Sequence, residues 1–275
     1  MATSKYITIQ GLQIAYTRIG DGESVLLIHG ITTSSFIWRN IIPGLSKDYD
    51  VVAVDLLGCG NSSKDLSADY SIKNQALILA DLLRELDLGK THIIGHDIGG
   101  GIAQIMAVKF PELIQDIVLI NTIGYNYWPV QPITTMRTPV FRQFAMMSLD
   151  MGMLQKLIKK GLYKKESYTE EFKSLVWEEM ADKKRRKSFL HFAKCLNNQH
   201  LMEIAPELKN IDFPVLIIRG EGDLYLNSII STRLEEDIPS GEILRIRTGG
   251  HFIQEDEPDL LIEKISEFYS KNQTR

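Results

Sequence analysis

The sequence predicts an α/β fold, a mostly parallel, doubly wound sheet of about eight strands interrupted by a helical insertion. Three observations predict it. Short β-branched or leucine-rich runs alternate with apolar residues at helical spacing along most of the 275 residues, as expected of a parallel sheet covered by helices on both faces. The runs 25–28, 51–54, 117–120 and 215–218 are apolar at every position, as strands buried on both sides are. From 124 to about 210 no strand pattern occurs, and Met, Lys and aromatic residues follow helical periods. The core domain is therefore expected in 1–123 and 211–275, with a helical cap at 124–210 inserted after the sixth strand. Such a cap lies over the carboxyl ends of the strands, where sheets of this kind bind ligands.

The elements follow in order. Residues 6–19 alternate apolar and polar on both sides of Gly11 and read as an antiparallel hairpin. The strand 25–28 runs into His29-Gly30. Phe36, Ile37, Ile41, Ile42 and Leu45 then recur at helical spacing and predict a first helix. After the strand 51–54, Asp55 with Gly58 and Gly60 reads as a tight structural turn; nothing that follows it has phosphate-binding spacing. A long amphipathic helix is expected from Ser71, its cap, to about Leu88, closed by Gly89. Two more strands are expected at 215–218 and 243–246, and a last helix at 258–269.

Residues 91–107 organise the rest. The short strand around Ile93-Ile94 meets a helix carrying Ile102, Ile105 and Met106, with Gly95-His96-Asp97-Ile98-Gly99 between them. A strand, a tight turn and a helix around Gly-x-x-x-Gly put the central side chain at the top of a sheet, the geometry called a nucleophile elbow. The glycines let the turn be sharp and the backbone approach closely. The central residue here is Asp97. Asp223 follows the strand 215–218 and His251 follows 243–246, so nucleophile, acid and histidine occur in the chain order this fold requires. His29 is expected to brace the loop after the third strand.

Bulk properties exclude several function classes. The net charge is −4 and the pI about 5.9, which gives no attraction to nucleic acid or an anionic membrane. No apolar run reaches the roughly 20 residues a transmembrane helix needs. The N-terminus lacks the pattern of a signal peptide. Cys59 and Cys195 are far apart and without metal-ligand spacing, which fits reduced thiols and a cytoplasmic location. No cofactor and no metal is expected; His191 and His200 have no ligand-like spacing. The insertion holds 15 Lys/Arg against 9 Asp/Glu, leaving 16 against 26 elsewhere. The run 183–187 dominates that excess and is expected to be a solvated helix face.

Over nearly its whole length the chain resembles the α/β-hydrolase superfamily, in the branch with an Asp nucleophile, the haloalkane dehalogenases and epoxide hydrolases. His29-Gly30, the stretch 34–43 around Trp38-Arg39-Asn40, and the stretch 251–259 around His251-Phe252 look most like the dehalogenases. The resemblance implies a cofactor-free hydrolase acting on a small, largely apolar organic molecule. It also departs from the pattern. Many dehalogenases resemble H-G-N-P and D-W-G-G, whose Asn and Trp hold the halide; Ile31 and Ile98 stand at those positions here. Thr32 stands where the Pro would be. Some dehalogenases carry the acid after the strand preceding the cap, and Asn121 occupies that region.

The chemistry of Asp97 reaches the same class independently. A carboxylate is ionised at pH 7 and needs no base to activate it, unlike Ser. Its attack on a saturated carbon bearing a leaving group gives an alkyl ester. Water activated by His251, with Asp223 orienting the imidazole, then hydrolyses that ester. The oxyanion is expected against the backbone N–H groups of Ile31 and Ile98. Substrate-contact candidates are Trp128, whose N–H suits a halide, Tyr125, Tyr127, His96 and Phe252; Tyr163 and Tyr168 are further hydroxyl donors. Trp38 and Trp177 are expected to pack in cores. Halide displacement leads, with epoxide opening and strained-lactone opening as alternatives on the same triad. A ligand-binding homologue without turnover, and a lyase or acyl hydrolase with Asp97 as base, stay open.

Overall fold

The hairpin forms from Lys5–Ile9 (β1) and Leu12–Ile19 (β2). Its two-residue loop has both Gln10 and Gly11 at positive φ, 52° and 78°, the loop whose twist matches paired strands. Glu23–Ile28 (β3), Tyr49–Val54 (β4), Thr91–Asp97 (β5), Ile114–Thr122 (β6), Val215–Gly220 (β7) and Gly241–Ile246 (β8) complete one sheet in the order β1-β2-β4-β3-β5-β6-β7-β8. From β4 to β8 every neighbouring pair is parallel, and only the hairpin side is antiparallel. These observations come from a computed structural model that describes residues 3–129, 131, 133–136 and 152–273.

Helices cover the sheet where the apolar spacing predicts them, with one exception. Ile72–Glu85 (α1) begins at Ser71, whose hydroxyl accepts from the Asn74 N–H at 3.2 Å, and Gly89 sits past its end at φ 64°. Ile98–Lys109 (α2) starts directly at the elbow and stops before Pro111. The helix expected over 36–45 is instead a 3-10 turn, Ser35–Trp38, and one α-turn, Ile42–Leu45. Pro43 has no N–H to donate and Gly44 resists helix propagation, so the apolar spacing there cannot carry a continuous helix. Ile229–Asp237 and Pro258–Gln273 flank the last strands.

Between β6 and β7 lie Met153–Gly161 (α3), Glu170–Glu178 (α4), Lys183–Cys195 (α5) and Gln199–Ile204 (α6). Thr169 caps α4 through the Phe172 N–H, and Asp182 caps α5 through the Arg185 N–H. Phe172, wholly buried, fastens α4 to the core: it meets Phe36 at 6.1 Å and Phe252 at 6.4 Å, with the Arg39 guanidinium 5.2 Å over its ring. Trp177 on the same helix is 47% exposed, so the core role expected of it is corrected. It lies one residue after Val176 and five after Phe172, on the outward side of α4. In the basic run, Lys183, Lys184 and Lys187 are exposed while Arg185 and Arg186 are half-buried. Among the described residues no helix is long and apolar enough to cross a membrane.

Candidate active site

The elbow is built by excluding side chains. Asp97 ends β5 at φ 54°, ψ −118°, a region that costs an L-residue about 1–3 kcal/mol. A Cβ on Gly99 would lie 2.2 Å from the Ile28 carbonyl oxygen, and one on Gly95 would lie 2.5 Å from the Gly99 carbonyl oxygen. Glycine at those two positions is therefore what allows β3, β5 and α2 to converge under Asp97. Gly30 serves the same end from the facing loop, because a Cβ there would come within 2.8 Å of the Asp97 carboxylate.

That carboxylate lies at the N-terminus of α2, where the helix dipole favours negative charge. The Ile31 N–H donates to its Oδ2 at 3.2 Å, and the Ile98 N–H donates to the carboxylate as well. Both backbone donors expected as the oxyanion hole thus converge on Asp97. Burial pushes the Asp97 carboxyl up from its ordinary range, against the opposing pull of His251 and these two N–H groups. His29 braces the loop that carries Ile31. The Leu56 N–H donates to its Nε2 at 3.0 Å, so Nδ1 carries the proton donated to the Gly30 carbonyl at 2.7 Å.

The other two members arrive from the neighbouring loops. His251 Nδ1 lies 3.0 Å from Asp223 Oδ2, and the Arg219 guanidinium donates to the same oxygen at 3.2 Å. The Tyr225 and Leu226 N–H groups donate to Asp223 Oδ1 at 2.8 and 3.2 Å. Burial works against the Asp223 charge, but His251, Arg219 and those N–H groups outweigh it and hold the carboxyl below its ordinary range. Burial likewise works against a charged His251, yet Asp223 and Asp97 prevail and raise it. No hydrogen bond joins His251 to Asp97; both line one cavity of about 70 Å³. Measured this way a water needs roughly 10–15 Å³, so the cavity takes a water or a small ligand.

The rest of the cavity wall is mostly apolar: Ile31, Ile133, Leu157, Ile158, Leu226 and Phe252, with Thr32, Gln131 and Tyr225 as its further polar members. Of the substrate-contact candidates, only Phe252 is on this wall. His96 lies behind it: its Nε2–H donates to the His251 carbonyl at 2.9 Å, and burial followed by the His251 charge lowers it to about 3, so it stays neutral. Tyr125 is turned away, its hydroxyl donating to Asp237 at 2.7 Å. Tyr127 bonds to Arg233. Trp128 is buried with its indole N–H unpartnered and off the cavity wall. Tyr163 is 51% exposed, and Tyr168 packs on Phe172. Trp128, Tyr125, Tyr127 and His96, expected among the substrate contacts, thus lie off the wall formed by the described residues. A rotation of one residue in a loop redirects a ring completely, and no periodicity governs such loops.

Residues with no structural role assigned from the sequence hold the loops in place. Asn121, at the end of β6, donates from Nδ2 to the Gly250 and His251 carbonyls at 2.8 and 2.9 Å. Its Oδ1 accepts from the Gly220 N–H at 2.9 Å, so one side chain ties the acid loop to the histidine loop. Glu255 receives Arg39 in a two-pronged ion pair at 2.5 and 2.9 Å, joining the histidine loop to the turn after Ile31. Asp256 accepts from the Gly250, Tyr163 and Lys164 N–H groups, and the His251 N–H donates to the Gly161 carbonyl. Tyr225 rests edge-on against His251 at 5.3 Å while its hydroxyl donates to the Leu157 carbonyl on α3.

Known proteins resemble the whole chain. An uncharacterized hydrolase of Bacillus subtilis is 28% identical over 95% of this chain and 96% of its own. A cis-3-alkyl-4-alkyloxetan-2-one decarboxylase of Shewanella oneidensis is 27% identical over 98% and 89%. Among solved structures, a haloalkane dehalogenase of Bradyrhizobium elkani superposes with a TM-score of 0.87 at 22% identity over 99% of both chains. An epoxide hydrolase superposes with a TM-score of 0.78 at 22% identity over 98% and 99%. The elbow, the sheet order and the match of residues 23–258 to the alpha/beta hydrolase fold model together place this chain in the α/β-hydrolase family.

Proposed function

We propose that this hydrolase works through a covalent alkyl ester on Asp97, in the manner of a haloalkane dehalogenase, on a small and largely apolar substrate. The observation that carries the reading is the separation of roles at one cavity. Asp97 and His251 both line it without bonding to each other. A serine triad needs its base on the nucleophile, whereas a carboxylate nucleophile needs its base on a water. Asp97 displaces the leaving group from carbon, and the carbon–oxygen bond of the ester forms as the bond to the leaving group breaks. The Asp97 negative charge is thereby removed.

That loss times the second step. Asp97 is one of the charges that raise His251; once it is esterified, the imidazole drops back towards its ordinary value and becomes a base. His251 then takes a proton from water, whose oxygen attacks the ester carbonyl. The Ile31 and Ile98 N–H groups stabilise the tetrahedral oxyanion, and the alcohol leaves as Asp97 is regenerated. The alkylation rate is expected to fall as pH drops through the Asp97 value, which burial holds above that of an ordinary carboxylate.

A second reading concerns the leaving group. The similarity to an oxetan-2-one decarboxylase, and the positions of Trp128, Tyr125 and Tyr127 off the described wall, favour a strained lactone, whose ring carboxylate leaves without an external donor. One experiment tests both. His251→Gln is incubated with short haloalkanes or with small lactones and weighed intact. A persistent mass gain mapped to Asp97 is expected, equal to the alkyl group less one hydrogen for a halide and to the whole molecule for a lactone. Full turnover by Asp97→Ala would falsify the covalent route.

A further inference from the structure

Tyr225 follows the acid Asp223 by two residues and touches three parts of the site. Its backbone N–H donates to Asp223 Oδ1 at 2.8 Å. Its ring lies 5.3 Å from the His251 imidazole and at 89° to it. Its hydroxyl donates to the Leu157 carbonyl on α3. One residue thus holds the acid, faces the base and reaches a helix of the segment between β6 and β7. The one proton of that hydroxyl is given to Leu157, so Tyr225 stands on the cavity wall without a free donor.

The imidazole needs such a neighbour. Its hydrogen bond to Asp223 fixes Nδ1 but leaves the ring free to tilt about that contact. Three rings set its plane: Phe252 at 4.8 Å, His96 at 4.9 Å and Tyr225 at 5.3 Å. Phe252 is the next residue in the chain and His96 lies on β5, whereas Tyr225 is hydrogen-bonded to α3. The helix returns the contact. Its Gly161 carbonyl, about one turn beyond Leu157, accepts from the His251 N–H at 2.8 Å. A Cβ on Gly161 would lie 2.8 Å from Tyr225 Cε2 and 2.9 Å from Phe252 Cε2, so the helix end packs directly on both rings. The same helix supplies Leu157 and Ile158 to the cavity wall. It therefore borders the substrate cavity and also holds the ring beside the base.

We propose that Tyr225 is a positioning residue for His251 and makes the alignment of the imidazole depend on the seating of α3. The hydroxyl fixes the ring to α3, the ring fixes the plane of the imidazole, and the backbone N–H keeps Asp223 in register with both. Contact between a substrate and Leu157 or Ile158 then acts on the base as well as on binding, a use of remote contacts to align reacting groups. The step it serves is hydrolysis of the Asp97 ester, so its effect on rate rests on the covalent reading above; the tie to α3 does not.

Two variants separate the parts. Tyr225→Phe keeps the ring and the backbone N–H and loses only the bond to α3, while Tyr225→Leu loses the ring too. Hydrogen–deuterium exchange needs no substrate. In Tyr225→Phe the amides of α3 should exchange at least about threefold faster, the scale of one lost hydrogen bond, with those of α5 unchanged. With a substrate that alkylates Asp97, Tyr225→Phe should slow ester hydrolysis about fivefold and leave the alkylation burst within about twofold of the parent. Tyr225→Leu should slow hydrolysis about 100-fold, the scale of a group displaced by about 1 Å. Burial lowers the imidazole and Asp223 raises it; the looser Asp223 contact in Tyr225→Phe should therefore move the acid limb of the hydrolysis profile to lower pH. Unchanged exchange in α3 overturns the tie. Burst and hydrolysis slowed by one common factor overturn the positioning role, as does a Tyr225→Phe hydrolysis rate and profile equal to the parent's. If no ester forms on Asp97 the covalent reading falls, and the exchange of α3 still decides the tie.

Discussion

Two buried His–Asp pairs stand at opposite ends of the same sheet. At the carboxyl ends of the strands, His251 meets Asp223 at 3.0 Å; near the amino ends, His92 on β5 meets its register partner Asp116 on β6 at 2.8 Å. Both histidines are raised and both are almost fully enclosed. By pair geometry alone they are indistinguishable. The difference lies in what the other side of the imidazole sees. His251 lines a cavity beside Asp97. His92 is sealed by Tyr269 at 4.3 Å and Tyr49 at 5.7 Å, and its second nitrogen faces Glu23 at 3.4 Å. A His–Asp pair becomes chemistry only where a third group and free space adjoin it; elsewhere it is a way of joining two strands.

Breaking each pair in turn gives the largest contrast. Asp223→Asn should lower turnover by about 10⁴-fold, the scale seen when a triad loses its carboxylate charge, with melting temperature little changed. Asp116→Asn should leave turnover within about twofold and lower stability by about 1–3 kcal/mol, the cost of a disturbed buried hydrogen bond; calorimetry and steady-state rates on the two variants decide it. If both variants lose turnover equally, the distinction between the ends is lost.

A smaller effect is expected from the residue that spaces the active pair. Asn121→Ala leaves the Gly250 and His251 carbonyls without their donor, about 1–3 kcal/mol if neither finds water, which corresponds to roughly 5–150-fold in rate where the whole cost falls on the transition state. A positioning role predicts that the pH profile of the hydrolysis step shifts as well, since the distance between His251 and Asp223 changes. A fall in melting temperature with an unmoved profile would reduce Asn121 to a structural tie.

The smallest effect sharpens the inactive pair. Burial opposes the His92 charge, but the hydrogen bond to Asp116 and the field of Glu23 outweigh it, so its folded value lies above the ordinary 6.5. A raised histidine contributes stability fully below the unfolded value and loses it as pH rises through the folded one. The melting-temperature gap between the parent and His92→Gln should therefore be widest below about pH 6.5 and narrow above it. A gap independent of pH would mean that His92 titrates alike in the folded and unfolded protein, and a gap that widened as pH rose would mean that burial keeps it neutral when folded.

What was legible in the sequence was what local pattern controls. Asp97 ends a strand, and Asp223 and His251 each follow one by a few residues, so finding the strands finds them. The donors Ile31 and Ile98 follow from the same two loops, because backbone N–H groups do not depend on side-chain type. The apolar run over 36–45 misled, since spacing registers which face is buried and not whether Pro43 and Gly44 allow a helix. Trp177 misled for the related reason that a hydrophobic residue on a surface helix is not obliged to face inward. The contacts of Asn121, Tyr225 and the Arg39–Glu255 pair were invisible because the partners are 99, 68 and 216 residues away. Their meaning exists only after the chain has folded.

The backbone at Asp97 carries one more consequence. Its unusual φ and ψ are imposed by the glycines at 95 and 99 and by the strands around them, none of which touch the identity of the side chain at 97. The position is thus a socket: whichever short polar residue occupies it is presented at the same height, to the same two N–H groups and the same imidazole. A substitution at 97 therefore changes the nucleophile without touching the glycines and strands that fold the elbow.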